Sequence, residues 1–179
     1  MKKIGLLTAA VVMAVLGTSS ANAQSTQTVK GTNYLNAGIG LRTFGLSGTG
    51  GLPITASFEH GFTDKISAGG YVGFVQRKFA HDWKYTYFVI GARGSYHFSE
   101  LLNIQNEKLD VYGGASLYYR GYKLKYGDDE ISELYDTNGG TVGLALHAAA
   151  RYMFKDNLGA YAELGYGVSP LQLGVTLKF

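Results

Sequence analysis

Eight segments of this chain alternate apolar and polar side chains, and this repetition limits the possible folds more than any other feature. Successive side chains of a β-strand point to opposite faces, so alternation with a period of two predicts strands that each have one apolar face. The pattern is clearest in the final segment, 171–179, which reads L-Q-L-G-V-T-L-K-F. Seven earlier segments repeat it, at about 34–42, 54–59, 66–77, 85–98, 109–122, 142–154 and 158–167. The even number of strands predicts an all-β fold, an eight-stranded antiparallel up-and-down barrel.

The first residues predict export from the cytoplasm. Lys2 and Lys3 precede an apolar run from Ile4 to Leu16, and Ala21-Asn22-Ala23 supplies a small-residue cleavage site. This order is typical of a Sec-type signal peptide, and the run is shorter than the roughly 20 residues of a membrane-spanning helix. We therefore expect 1–23 to be the signal peptide, 24–32 a short periplasmic lead-in and 33–179 the barrel.

The alternation alone does not decide whether the apolar face points outward to lipid or inward, as in a soluble eight-stranded barrel. The opposing face consists mainly of Gly, Ser and Tyr, which would be a poor surface in water but suits a narrow lumen. Charged residues make up only 16% of the chain, compared with about 25% in average proteins. Together with the signal peptide, these features favour a transmembrane barrel over a soluble one.

The distribution of aromatic residues supports the same orientation. If the first strand runs outward, the periplasmic connections are 63–65, 155–157 and the longer 99–108, and the outer loops are 45–52, 78–84, 123–138 and 169–170. A group of aromatic side chains then lies at the periplasmic ends of the strands, as in the girdles of membrane barrels. Its members are Phe58, Phe62, Tyr96, Phe98, Tyr152, Phe154 and Phe179.

Charged residues on the polar face form the first candidate site. Three acidic and three basic side chains are expected in the middle and periplasmic parts of the lumen: Glu59, Arg93, Asp110, Arg151, Glu163 and Lys178. In so narrow a lumen these charges must pair, because an unpaired buried charge is costly. We favour an ion-pair plug that holds the barrel rigid; the alternative is a charged constriction for ion passage.

A second candidate lies at the outer end, where Arg42, Arg77 and Arg120 face inward with several lysines nearby. The nearby lysines are Lys78, Lys84, Lys123 and Lys125. This outer basic rim has the charge to bind phosphates of lipopolysaccharide. The alternative is ordinary solvated charge, balanced by the acidic residues at 128–136.

Signals for other chemistry are weak. A net charge of +3 without a Lys/Arg run gives no reason to expect a nucleic-acid partner, and the absence of cysteine excludes disulfides and thiolate metal sites. His81 and Asp82 fall in an outer loop, His97 and Ser95 share a lumen face, and His147 is expected in mid-lumen as a packing residue. None of these combinations has the spacing of a metal site or a demonstrable nucleophile and base, so we expect no catalytic residue, metal or cofactor.

Some segments also resemble a known family. The runs K-L-D-V-Y-G-G-A-S-L-Y-Y (108–119) and D-N-L-G-A-Y-A-E-L-G-Y-G (156–167), with the ending G-V-T-L-K-F, are similar to segments of small barrels from the Bacteroidetes. The whole pattern resembles the small eight-stranded outer-membrane β-barrel proteins of Gram-negative bacteria, such as outer membrane protein X and the transmembrane domain of outer membrane protein A. The resemblance implies that Phe179 is an assembly signal, with the barrel-assembly machinery and periplasmic chaperones as partners.

These observations lead to a functional expectation. We expect a monomeric, non-enzymatic integral protein of the cell outer membrane, of structural or surface-interaction type, with a lumen filled by side chains and with outer-membrane lipid, including lipopolysaccharide, around it. A small pore for ions or solutes is one alternative. A lipid A-modifying barrel enzyme is the second, since the family that the chain resembles includes such enzymes.

Overall fold

The computed structural model of the protein describes residues 30–43, 49–78, 84–125, 137–165 and 167–179, so the predicted signal peptide lies outside the described residues. Eight long strands account for most of these residues: β1 Asn33–Gly40, β2 Ile54–Gly61, β3 Ile66–Lys78, β4 Lys84–His97, β5 Leu109–Lys125, β6 Thr137–Met153, β7 Leu158–Gly165 and β8 Leu171–Lys178. A two-residue segment, Thr49–Gly50, pairs with the end of β3. No helix within these ranges has the length and apolar character needed to cross a membrane.

The strands close into a barrel. Each pairs with the next in antiparallel orientation, and β8 pairs back to β1 from Tyr34↔Lys178 to Gly40↔Gln172. Following paired residues once around the sheet from Asp110 leads back to the same strand at Arg120, so the strands are staggered and tilted against the barrel axis. The prediction of an eight-stranded antiparallel up-and-down barrel is confirmed.

The largest difference from the predicted strands is in the β5–β6 hairpin. Its pairing continues to Leu124↔Thr137, so both ends of the predicted loop 123–138 belong to strands. Glycines conceal the alternation at the start of β6. A Cβ atom at Gly139 would lie only 2.6 Å from the hydroxyl of Tyr122, because this ring of β5 covers the glycine. An aromatic side chain over a cross-strand glycine stabilises a sheet at a position that has no side chain of its own.

Three connections lie at one end of the barrel, called here the turn end: 62–65, 98–108 and 154–157. The salt bridge from Lys65 Nζ to Glu100 Oε2, 3.0 Å long, joins two of them, and the hydrogen bond from Lys65 to this carboxylate raises the pKa of Lys65. The opposite end is called the loop end. Most of three predicted outer loops there, residues 44–48, 79–83 and 126–136, lie outside the described residues.

The predicted aromatic girdle is found at the turn end. Ring centroids are 6.4 Å apart for Phe58 and Phe179, 5.1 Å for Tyr96 and Phe98, and 5.8 Å for Tyr152 and Phe154. His60 adds an edge contact to Phe62 at 5.2 Å, and its Nδ1 lies 2.8 Å from the amide oxygen of Asn33.

The outer surface of the barrel wall is apolar over most of its height. Val142, Leu144 and Leu146 of β6 are 67%, 77% and 74% exposed. Outward-facing Leu, Ile, Val and Phe side chains occupy the other strands in the same way, among them Ile54, Val72, Phe74, Phe88, Ile90, Leu117, Leu164 and Leu173. Such a continuous apolar band is unfavourable in water and matches the lipid-facing band of transmembrane barrels.

Candidate functional site

The lumen contains the charged residues that the alternation placed there. Glu59, Arg93, Asp110, Arg151 and Glu163 come from five different strands, and each is no more than 6% exposed. Since side chains on one face of each strand point into the barrel, strand closure alone brings these distant residues together.

Arg93 is the centre of the first ion cluster. Its Nη2 donates to Glu163 Oε2 at 2.8 Å and its Nη1 to Glu163 Oε1 at 3.4 Å, which is the two-pronged geometry of strong guanidinium–carboxylate pairs. Its Nε also lies 3.1 Å from Glu59 Oε1. One cation therefore contacts carboxylates from two sides of the lumen.

Arg151 is the centre of the second cluster. Its Nη1 donates to Asp110 Oδ2 at 3.1 Å, and its guanidinium carbon lies 3.8 Å and 4.6 Å from the ring centroids of Tyr34 and Tyr112. These aromatic faces offer the cation electrostatic stabilisation in a place where water is excluded. The tyrosines were not predicted as site residues, although their inward parity could have indicated them.

Ser67 joins the two clusters. Its hydroxyl donates to Glu59 Oε2 at 2.7 Å and lies 3.0 Å from His97 Nε2, while His97 Nδ1 lies 2.9 Å from Asp110 Oδ1. Ser, His and Asp in this order resemble an acyl-transfer triad. Here Ser67 is 1% exposed and its proton is directed to Glu59, so we interpret the arrangement as a structural hydrogen-bond chain.

An apolar plug lies in the lumen on the loop-end side of the ion clusters. It consists of Val75, Val89, Tyr118, Ala145 and Val168, all buried, with Tyr71 and Tyr87 packed against them. Val168 comes from the connection between β7 and β8 and points into the barrel. A Cβ atom at Gly73 would lie 2.6 Å from Val168 Cγ2, so the glycine makes room for it. Sequence reasoning missed this plug because a polar lumen was expected and connections carry no periodic signal.

The outer membrane protein OprG from Pseudomonas aeruginosa superimposes with a TM-score of 0.59 at 13% identity, over 87% of this chain and 99% of that one. This chain has the fold of the small outer-membrane β-barrels. The N-terminal barrel domain of Pseudomonas aeruginosa OprF gives a TM-score of 0.55 at 18% identity, over 84% of this chain and 98% of that domain.

A third small outer-membrane barrel is Ail, the attachment invasion locus protein of Yersinia pestis, in complex with the heparin analogue sucrose octasulfate. Its TM-score is 0.53 at 15% identity, over 84% of this chain and 100% of that one. No family model and no curated protein matches the sequence. At these identities the likeness concerns the fold.

The remaining predicted residues lie nearer the ends of the barrel. Lys178 is half-buried at the turn end, in register with Tyr34, and its membership of the ion network stays a prediction. Arg77 and Arg120 are half-buried on the inner face above the plug, whereas Arg42 is exposed just after β1. The strand register does not pair these arginines with one another, and their role as a lipid-binding rim stays a prediction.

Proposed function

We propose that the protein is a non-enzymatic, monomeric integral protein of the cell outer membrane with a closed lumen, acting as a structural barrel that interacts with its surroundings at the cell surface. In the proposed membrane orientation, the turn end of the barrel faces the periplasm and the loop end faces the outside of the cell. The observation that carries the proposal is the two-layered filling of the lumen inside an apolar outer wall.

The filling argues for a closed barrel rather than a pore. The ion clusters around Arg93 and Arg151 occupy the turn-end half, and the apolar plug with Val168 lies on their loop-end side. An ion entering from either side would have to displace a paired charge or enter an apolar constriction, and both are unfavourable.

The loop end is the side suited to surface interactions. The β5–β6 hairpin, with 17 residues in each strand, is longer than β1, β2, β7 and β8, with 8 each, and therefore extends beyond the apolar band. Ail shares the fold and is named for attachment, which supports a surface role by analogy of fold alone. Lipopolysaccharide around the outer end is the expected lipid partner.

Planar-bilayer recording on the purified, refolded protein tests the closed lumen. We expect no reproducible unitary conductance, and a stable conductance step would instead support the small-pore alternative. Fractionation of cells tests the location. Recovery of the protein from the periplasm without detergent would contradict an outer-membrane barrel.

The enzyme alternative has its own test. Lipid A extracted from cells with and without the gene should have the same mass distribution under our proposal. A mass shift that depends on Ser67 would support the second alternative and make the buried Ser67–His97–Asp110 chain a catalytic group.

A further inference from the structure

Three lysines lie side by side on the outer wall at the loop end. Lys78 of β3 is paired with Lys84 of β4, and Lys123 of β5 is paired with Thr86, two residues further along β4. All three are exposed and share the outward parity of Phe74, Phe88 and Tyr119 below them. They therefore point away from the lumen, unlike Arg77 and Arg120.

This lysine row is electrostatically unfavourable by itself. Directly opposed residues on neighbouring strands have Cβ atoms about 5 Å apart, and like charges at that separation repel. Within the described part of the chain, every acidic side chain lies in the lumen or at the turn end, so none of them compensates the row. The arrangement has the charge to hold an anion with more than one negative charge.

An apolar groove lies directly below the lysine row. It has a volume of about 400 Å³, opens on the lipid-facing side and is lined mainly by Ile54, Ala56, Val72, Phe74, Phe88 and Ile90. Its smallest outward-facing side chain is Ala56, which is paired with the larger Val72 of β3. Between groove and lysines lies a single polar layer, in which Gln76 Nε2 donates to Thr86 Oγ1 at 3.2 Å. The four residue steps along β3 from Phe74 to Lys78 span about 13 Å.

We propose that this face binds one phosphorylated glycolipid of the outer leaflet, the lipid A part of lipopolysaccharide. An acyl chain lies in the groove, and Lys78, Lys84 and Lys123 hold the phosphate-bearing headgroup. Along the outer wall, the surface is apolar at the groove, polar at Gln76 and Thr86, and cationic at the lysine row. This sequence of zones matches the acyl chain, the sugar and the phosphate of such a lipid. The site lies on the outer wall and is separate from the inward-facing arginine rim.

The inference rests on the proposed location in the outer membrane. It moves the expected phosphate contacts from Arg77 and Arg120 to the lysine row, because a lipid beside the barrel reaches only outward-facing side chains. Arg77 and Arg120 lie on the inner face of the wall, away from a headgroup anchored by its chains in the surrounding leaflet.

Native mass spectrometry of the refolded full chain, released from micelles that contain purified bisphosphorylated lipid A, tests the site. The triple variant K78Q/K84Q/K123Q should raise the apparent Kd about a hundredfold, since each lysine near an anionic lipid surface contributes about a factor of five. The matched control K30Q/K108Q/K155Q removes three lysines near the turn end and should leave the Kd unchanged. Dephosphorylated lipid A should bind the wild type as weakly as phosphorylated lipid binds the lysine variant.

Ala56→Phe tests the groove separately, because the new ring takes up space within it. We expect Ala56→Phe to bind lipid A about tenfold more weakly, and the control Ala160→Phe, on the other side of the barrel, to bind it as the wild type does.

Three results would each overturn the proposal. They are binding by the folded lysine variant equal to that of the wild type, an equal loss of binding in the turn-end control, and full displacement of the lipid by inorganic phosphate. The unboiled gel mobility of every variant reports folding. A folded, membrane-inserted chain without lipid binding contradicts this inference alone, whereas a chain that does not insert contradicts the proposed function as well.

Discussion

The guanidinium carbon of Arg151 lies 3.8 Å from the centre of the Tyr34 ring, in a part of the lumen where both side chains are almost completely buried. Arg151 also provides the counter-charge for Asp110. Removing one member of a buried ion pair leaves the other charge uncompensated, which costs about 3–5 kcal/mol. We therefore expect Arg151→Met to lower the free energy of unfolding by this amount, measured by urea titration of the barrel in lipid vesicles.

The double variant R151M/D110N provides the control. It removes both charges, so it should recover a substantial part of the stability that Arg151→Met loses. If the double variant is as unstable as the sum of the two single variants, the loss does not come from an unpaired Asp110.

Three glycines differ in what a methyl group would meet, and this difference predicts a ranking. A Cβ at Gly69 would collide with the backbone of Phe58 and Glu59 on the neighbouring strand, which cannot move without breaking the ladder. At Gly143 it would meet the hydroxyl of Tyr118 at 2.7 Å, the far end of a side chain that can shift. At Gly51 nothing lies within 4 Å.

We expect Gly69→Ala to destabilise the barrel by about 3 kcal/mol or more, Gly143→Ala by about 1 kcal/mol and Gly51→Ala by less than about 0.5 kcal/mol. Urea titrations of the three variants under identical conditions check the order. Equal effects at Gly69 and Gly143 would show that backbone contact is not the deciding factor.

The sequence was sufficient to predict the wall of the barrel but not the contents of the lumen. Alternation assigns each residue to a face because the strand period is two, and Glu59, Arg93 and Glu163, which it assigns to the inner face, are buried. It does not reveal which inward residues meet, because contacts across the lumen depend on the stagger of the whole closed sheet. Arg93 lies on β4 and contacts Glu163 on β7, although these two strands are not paired in the sheet.

The apolar plug was unpredictable for a different reason. Val168 belongs to a connection, where no periodicity indicates direction, and Val75 and Val89 sit on a face that is otherwise polar. Only the closed structure shows that these residues converge. The same limit applies to the lysine row, since the sequence placed Lys78, Lys84 and Lys123 near the outer end without showing that they adjoin an apolar groove.

The two layers of the lumen act in series, so opening one should not open the barrel. The plug variant V75A/V89A/V168A should show no unitary conductance in planar bilayers, because the ion clusters still close the turn-end half. The further changes Glu59→Ala, Arg93→Ala, Glu163→Ala, Asp110→Ala and Arg151→Ala remove both ion clusters and should produce conductance. Conductance of the plug variant alone would mean that the ion clusters do not seal the lumen; folding of both variants is checked by heat-dependent gel mobility.

Phe179 and Phe62 are both exposed aromatic residues of the turn end, at 65% and 55%, but the resemblance to small outer-membrane barrels implies an assembly signal only at Phe179. If Phe179 is an assembly signal, Phe179→Ser should sharply reduce the amount of folded barrel in cells, whereas Phe62→Ser should have little effect. Refolding into vesicles, which needs no assembly machinery, should be similar for both, because each loses a comparable apolar contact with the interface. A comparable loss of both variants in cells would assign the effect to the aromatic girdle as a whole and would contradict a special role of Phe179.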